Sequence, residues 1–497
     1  MILQNGTVRT LDPSLPSAAA LAIAGERIAG AVGTHETALA SPETVDLGGR
    51  CVVPGFTDSH VHFPTWAVAQ QQARLDSCAS LADALDRIRS SGWSRGYGWR
   101  DAEWPDGPPT REALDAVSSD PMAMWSKDYH SLWLNSSALA LAGGDLEVEG
   151  GVVERDASGE PTGVLREEAA WRFKDRHLTI PDDEYVDAMR EGVKVAHARG
   201  VTCVHDKDGW LGAAGLWQKL APQLRVWQSV PADKLPELRS LSLRSGVGSP
   251  MLRIGYLKVF MDGTLGSQTA WMLDGSGVRI TSGDELAEIV RAGAEAGWPV
   301  GVHAIGDRAN REALDAFEQT RPLWEPAGLR QRIEHAQCLA PEDVGRFARI
   351  GVAASVQFTH APSDEELAKR FWPDKLDGTY SYRSLVESGA VVANGSDAPV
   401  EELDPWAGVV AAVRGHWRDD QRLTVEQALH ATCVAPAWLS HDERVRGTLL
   451  PGRYADLVVL SKDPFAEIDG VEIVATMVAG RWVHNPPDPT RSGLGGW

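Results

Sequence analysis

Two patterns of hydrophobic and polar positions divide the chain. Near both ends, short apolar runs are cut by Gly, Asn, Pro and Asp: MILQNGTVRTLD, AAALAIAGERIAGAVG and TVDLGGRCVVPG at one end, GTLLPGRYADLVVLSKDPF and EIVATMVAGRWVH at the other. Runs of this length with these boundaries predict β-strands. Neither end can bury a core alone. The economical solution is one small β-sandwich assembled from residues 1–53 and 446–497, since chain termini often lie close together.

Between residues 54 and 445 the pattern changes. Eight apolar runs recur: VVPGFTDSHVH, PMAMWSKD, VTCVHDKDG, MLRIGYLKVFMDG, WPVGVHAIGD, RQRIEHAQ, GVAASVQFTH and AVVANGSDAP. Helical stretches separate most of them. Ser282 with Glu285 and Thr424 with Gln427 match the capping box, and PDDEYVDAMREGVKVAHARG runs from a Pro start to a Gly stop. Strands apolar on both faces and alternating with helices imply a parallel sheet. Eight such units predict an α/β fold, a (β/α)8 TIM barrel, with an open doubly wound sheet as the alternative. Residues 64–120, rich in Trp and Gly, and residues 143–166, which read as a hairpin, break the alternation. Both are expected as insertions near the barrel mouth.

Several runs finish in groups able to bind a metal. The first ends Asp58-Ser59-His60-Val61-His62. Alternate residues of a strand share a face, so His60 and His62 point the same way and can meet one divalent cation. In LRIGYLKVFMDG, Leu257, Val259 and Met261 share the face expected to pack on helices, which turns Lys258 into the lumen. A buried ammonium is costly unless paired or neutralised. Lys258 is therefore either an ion pair with Asp262 or another carboxylate, or a lysine carboxylated by carbon dioxide that bridges two metals. His303, His335 and Asp397 end the fifth, sixth and eighth runs. Barrel enzymes gather their chemistry at the C-terminal ends of several strands, and these six groups, on strands 1, 4, 5, 6 and 8, fit that arrangement.

Composition narrows the function classes. The 497 residues carry 48 Lys and Arg against 69 Asp and Glu, a formal charge of -21. Nucleic acid and anionic membranes both call for a basic face, so neither is an expected partner. Five cysteines without CxxC spacing are neither a disulfide framework nor a zinc ribbon. The first residues show no signal peptide pattern. A cytoplasmic protein with a small-molecule substrate is expected, with a homo-oligomer possible. Of 19 Trp, Trp66 follows the HxH run, Trp93, Trp99 and Trp104 lie in the first insertion, Trp125 and Trp133 flank the second run, and Trp271 follows KVFMDG. Aromatic groups at a barrel mouth supply apolar area and stacking. A neutral, apolar or aromatic substrate follows, with Trp66, Trp271, Gln268 and Asp307 as candidate contacts.

The stretches VVPGFTDSHVH, SKDYHSLWLNSSAL, GVTCVHD, EPTGVLRE, KVFMDGTLGSQTA, GVHAIGDRAN, RIEHAQ, NGSDAPV and GTLLPGRYADLVVL resemble, in order, the amidohydrolase superfamily and within it amidohydrolase family 3, which includes N-substituted formamide deformylases. The resemblance implies two divalent ions, zinc foremost and manganese or iron as alternatives, with carboxylated Lys258 as their bridge. It implies His60, His62 and Asp397 around the more buried ion and His303 with His335 around the outer one. Asp397 would accept the proton of the attacking water and His130 would donate to the oxyanion, with Asp307 and His205 in supporting positions. The implied reaction is hydrolysis of a non-peptide, amide-type C–N bond. A mononuclear deaminase and a non-catalytic scaffold on the same fold are the alternatives. The chain departs from the family at Tyr129, where Gly more often precedes the His, and at Gln268, where Arg is commoner.

Overall fold

Eight parallel strands form the centre of the computed structural model, which describes residues 1–32, 43–101 and 104–486. In chain order they are Phe56–Val61, Val201–Asp206, Arg225–Pro231, Leu252–Phe260, Val300–Ala304, Arg332–His335, Ala353–Val356 and Val392–Asn394. Each pairs with the next. The ring closes just past the last strand, where the Asp397 N–H donates to the His60 carbonyl at 2.7 Å and the His62 N–H to that of Ala398 at 2.9 Å. A TIM barrel results. Leu257, Val300, Val302, Ile333 and Ala354, all fully buried, lie in the main core cluster together with helix residues such as Leu286, Leu314 and Phe347. The expected capping boxes are present at Ser282 and Thr424, each N-cap worth about 1 kcal/mol.

The number of barrel strands is as expected, but one member differs. The run PMAMWSKD supplies the strand Ala123–Ser126, which pairs with Arg95–Trp99 and Ser131–Leu134 in a separate six-stranded sheet. That sheet spans residues 73 to 167 and joins both stretches expected as insertions to the segment between them. The third barrel strand is instead Arg225–Pro231. Its polar residues mask the apolar pattern: Arg225 pairs with Asp456 at 2.7 Å, and the Gln228 amide donates to the Asp206 carbonyl at 3.2 Å. The strands carrying His60, Lys258, His303, His335 and Asp397 keep their ordinal places.

Two further sheets come from the chain ends. One has four strands, Arg27–Val32, Ala20–Ala24, Ile2–Gln4 and Thr44–Asp46. The other has six and joins both ends, pairing Cys51–Pro54 with Leu457–Leu460. Leu3, Leu21, Val45, Leu457 and Met477 share one core cluster, a small sandwich built from both termini. No helix among the described residues is long and apolar enough to cross a membrane.

Candidate metal centre

His60, His62, His335 and Asp397, at or just past the C-terminal ends of barrel strands, meet His360, from the start of the helix His360–Phe371, at one point. Donor atoms of His60, His62 and Asp397 all lie within 4.8 Å of one another, as do those of His335, His360 and Asp397. Ligands about 2.1 Å from a shared ion sit up to about 4.2 Å apart, so both sets are near binding distance.

Hydrogen bonds behind the rings decide which nitrogens are free. Glu334 accepts from His60 Nδ1 at 2.9 Å and Asp208 from His62 Nδ1 at 2.8 Å. Each ring then turns a bare Nε2 to the same oxygen, Asp397 Oδ1, at 3.2 and 3.5 Å. Imidazole lone pairs facing a carboxylate repel unless a proton or a cation lies between them. For His60 the proton is disfavoured, because burial and Lys207 push its pKa down to about 4. Asp397 is the anion of the set: burial opposes its ionisation, but positive charge held at His60, His335 and His62 keeps its pKa well below the carboxylate range. The donor set therefore suits a divalent cation.

His335 Nδ1 meets Gln357 Oε1 at 2.9 Å, which leaves its Nε2 bare. His360 Nε2 has no hydrogen-bond partner and lies 4.0 Å from Asp397 Oδ2. His303 is oriented differently. Its Nε2 donates to the Gly263 carbonyl at 3.2 Å, which frees Nδ1, and its ring centroid is 4.4 Å from that of His335. His303 thus lies beside the cluster, while His360 completes the second triplet.

Lys258 is 4% exposed, and its Nζ makes no hydrogen bond. Burial lowers its pKa to about 8, against the pull of Glu334 and Asp397. Its sequence alternative, an ion pair with Asp262, is not formed. Asp262 accepts the backbone N–H groups of Trp271, Ile305 and Gly306 at 2.9, 3.0 and 2.8 Å instead. The amine rests over the Phe260 ring at 4.6 Å, and a weakly basic amine without a hydrogen bond beside a metal-binding cluster suits carbamate formation.

Below the cluster lies a buried charged floor. Glu334 is held ionised, despite burial, by Arg332 and Lys207, at 2.7 Å each. His205 contributes here by position only, its Nδ1 3.1 Å from Arg332.

The inserted sheet brings His130 to the cavity. Its Nδ1 lies 2.7 Å from Glu167, which is fully buried and also accepts from the Thr269 hydroxyl. The His130 and His303 ring centroids are 5.5 Å apart. Burial lowers the pKa of His130, but Glu167 and Asp128 outweigh it and the net shift is upward. Tyr129, Glu167, His335 and Asp397 all hold positive φ, between +52° and +76°. Such strain gathers at functional sites. Tyr129 and Gln268, the two departures from the family pattern, both sit at left-handed φ.

The cavity over these groups holds about 360 Å³. Of the Trp residues expected there, Trp99 and Trp125 line it. The four residues singled out as contacts do not. Trp66 is buried against the helix Asp182–Ala198, so close to Gly192 that a Cβ there would fall 2.9 Å from its ring. Trp271 is capped by Arg308 outside the cavity. Gln268 lines a smaller neighbouring pocket, and Asp307 pairs with Lys375 at 2.5 Å. Trp104 and Trp133 pack inside the insertion, and Trp93 is exposed. The aromatic residues that reach the metal ligands are ones that sequence reading passed over. Trp210 lies 5.4 Å from His62, and Phe260 lies 5.2 Å from His303 and 5.5 Å from Trp171.

Known proteins share this arrangement of chain. Protein LONG AFTER FAR-RED 3 of Arabidopsis thaliana is 31% identical over 97% of this chain and 91% of its own. N-substituted formamide deformylase of Arthrobacter pascens is 26% identical over 97% of both chains. The crystal structure of an uncharacterized metal-dependent hydrolase from Pyrococcus horikoshii superposes with a TM-score of 0.77 at 26% identity, covering 94% of this chain and 99% of that one. The Amidohydro_3 family model matches residues 43–484, and with that match over nearly the whole length the chain belongs to the amidohydrolase family.

Proposed function

We propose that the protein hydrolyses a non-peptide, amide-type C–N bond in a small, uncharged substrate with an apolar or aromatic group. The observation that carries this reading is the convergence of bare imidazole nitrogens on Asp397 beside a buried Lys258 whose amine makes no hydrogen bond. His60, His62 and Asp397 would hold one ion, and His335 with His360 or His303 a second, bridged by carboxylated Lys258. Zinc suits so many imidazoles, with manganese or iron as alternatives. When bound, the ions supply a Lewis acid and a water whose pKa falls from 15.7 toward about 7.

The chain's own groups do the rest. Asp397 takes a proton from the attacking water and passes it to the leaving nitrogen. His130, whose protonated form Glu167 favours against burial, would present Nε2–H to the oxygen on which charge develops. The mouth is already charge-balanced: Arg100 pairs with Asp364 at 2.9 Å, Lys127 with Glu401 at 2.7 Å and Arg166 with Glu154 at 2.5 Å. None of these three cations stands free to clamp an anionic substrate. A relative named for deformylating N-substituted formamides supports a C–N bond as the target. Five buried, unpaired cysteines fit a reducing cytoplasm.

The test is a panel of N-formyl, N-acyl, carbamate and cyclic-amide compounds given to chelated and metal-reloaded protein. Hydrolysis lost on chelation and restored by zinc or manganese is expected, with two ions per chain by elemental analysis. Activity indifferent to chelator, or a fully metallated protein that turns over no amide, would overturn the proposal. A second expectation concerns His130. His130→Gln should lower kcat by about 10²-fold, the scale for losing one oxyanion donor, with metal content unchanged. A loss of metal would instead mark His130 as part of the ligand set.

A further inference from the structure

The insertion side of the cavity is walled by Trp125 stacked on Tyr129, with ring centroids 5.6 Å apart and planes 17° from parallel. Tyr129 is an improbable residue for its backbone, since φ is +58°, a region that disfavours any bulky side chain. Asp128 fixes the turn. Its carboxylate accepts the His130 N–H at 3.1 Å and the hydroxyls of Thr264 and Ser267 at 2.5 and 2.8 Å. The Tyr129 hydroxyl is buried without a hydrogen-bond partner, a second cost, while its ring packs on Trp125 at 5.6 Å and on Tyr97 at 5.8 Å. What both costs secure is a rigid aromatic ring lining the space above the metal ligands.

We propose that the Trp125–Tyr129 pair determines specificity, with Tyr129 the deciding residue: it selects substrates that carry a flat ring beside the scissile bond. The inference rests on the amide-hydrolase reading and adds the residues that choose among amides. A flat ring can lie parallel to the stacked pair over its whole face, whereas a puckered saturated ring of the same size touches it only through its axial hydrogens and gains no aromatic pairing. The gain from aromatic pairing beyond mere burial corresponds to about two- to tenfold in affinity. Trp210, Phe260 and Trp171 continue an aromatic surface through the same cavity, at 5.9 and 5.5 Å. Tyr129 is set apart from them because the chain carries it in a strained conformation.

Metal-loaded wild type, Tyr129→Phe, Tyr129→Gly and Trp125→Leu should be compared on N-benzylacetamide and N-(cyclohexylmethyl)acetamide. Glycine suits the left-handed φ, so the turn survives the loss of the ring, and Trp125→Leu tests the same wall from a residue with ordinary backbone. The wild type and Tyr129→Phe should favour the benzyl compound by about two- to tenfold in kcat/KM, through KM rather than kcat. In Tyr129→Gly and Trp125→Leu the ratio should fall to near one. An unchanged ratio in both variants, or wild-type preference for the cyclohexyl compound, would overturn the proposal. If neither amide is hydrolysed by any form, the assignment of these amides as substrates fails separately. The wall is then judged by calorimetric affinity for benzamide against cyclohexanecarboxamide, where the same ratios are expected and equal wild-type affinities would refute it.

Discussion

Exchanging Asp397 for asparagine is expected to lower turnover by about a hundredfold or more, the scale of a lost acid–base group, while the fold survives. Two oxygens of this one side chain face four imidazoles: Oδ1 lies 3.2 and 3.5 Å from His60 and His62, and Oδ2 lies 3.9 and 4.0 Å from His335 and His360. No other carboxylate stands at that crossing among the described residues. Asparagine matches the shape and tolerates the left-handed region that Asp397 occupies at φ +59°. Its backbone N–H still closes the barrel on His60. What disappears is the charge, and with it the group that can accept a proton from water. Steady-state rates and elemental analysis check this together. A variant keeping more than about a tenth of the wild-type rate would contradict a role in proton transfer. One that loses all metal would mean that Asp397 acts chiefly as a ligand.

Strand-end chemistry is readable in the chain because a polar residue closing an apolar run has few other reasons to be there. His60, His62, His303, His335 and Asp397 stand out in this way, Lys258 does so as a cation inside its strand, and the structure brings all six to one cavity. Glu334 does not stand out. Strict alternation would send Glu334 and His335 to opposite faces, but a φ of +76° at His335 breaks the alternation, so both reach His60. His360 ends the quoted run GVAASVQFTH, yet it belongs to the start of the helix His360–Phe371, where strand periodicity says nothing about its direction. PMAMWSKD has the composition of a barrel strand. Only its partners, 95–99 from farther back and 131–134 across a short turn, decide that it lies elsewhere. Burial likewise separates the tryptophans. Trp66 fills space against Gly192, while Trp210 reaches His62 from a one-turn helix with no periodic signal. Local chemistry is thus visible early, and the pairing of distant segments is not.

Lys258→Ala is expected to lose most bound metal and, with it, nearly all activity. The wild-type amine has no hydrogen-bond partner, so its removal strands no buried carboxylate and the fold should hold. An ammonium in that position would repel any cation at the cluster. Burial already lowers its pKa to about 8, which leaves a sizeable neutral fraction near neutral pH. The neutral amine can add to carbon dioxide: the nitrogen lone pair forms the new N–C bond, one proton leaves to solvent, and a carbamate anion remains. That exchange replaces a repulsive cation with an anionic ligand, which alanine cannot provide. Short carboxylic acids can place a carboxylate in the vacated volume, so acetate or propionate should restore part of the metal content and part of the rate. Apo wild type reloaded in carbon dioxide-free buffer should take up less metal than in bicarbonate, and the deficit should be larger at pH 7 than at pH 9, because the ammonium dominates below about 8. If Lys258→Ala binds two ions per chain as tightly as the wild type, the lysine is not a bridge and a cluster without it must suffice.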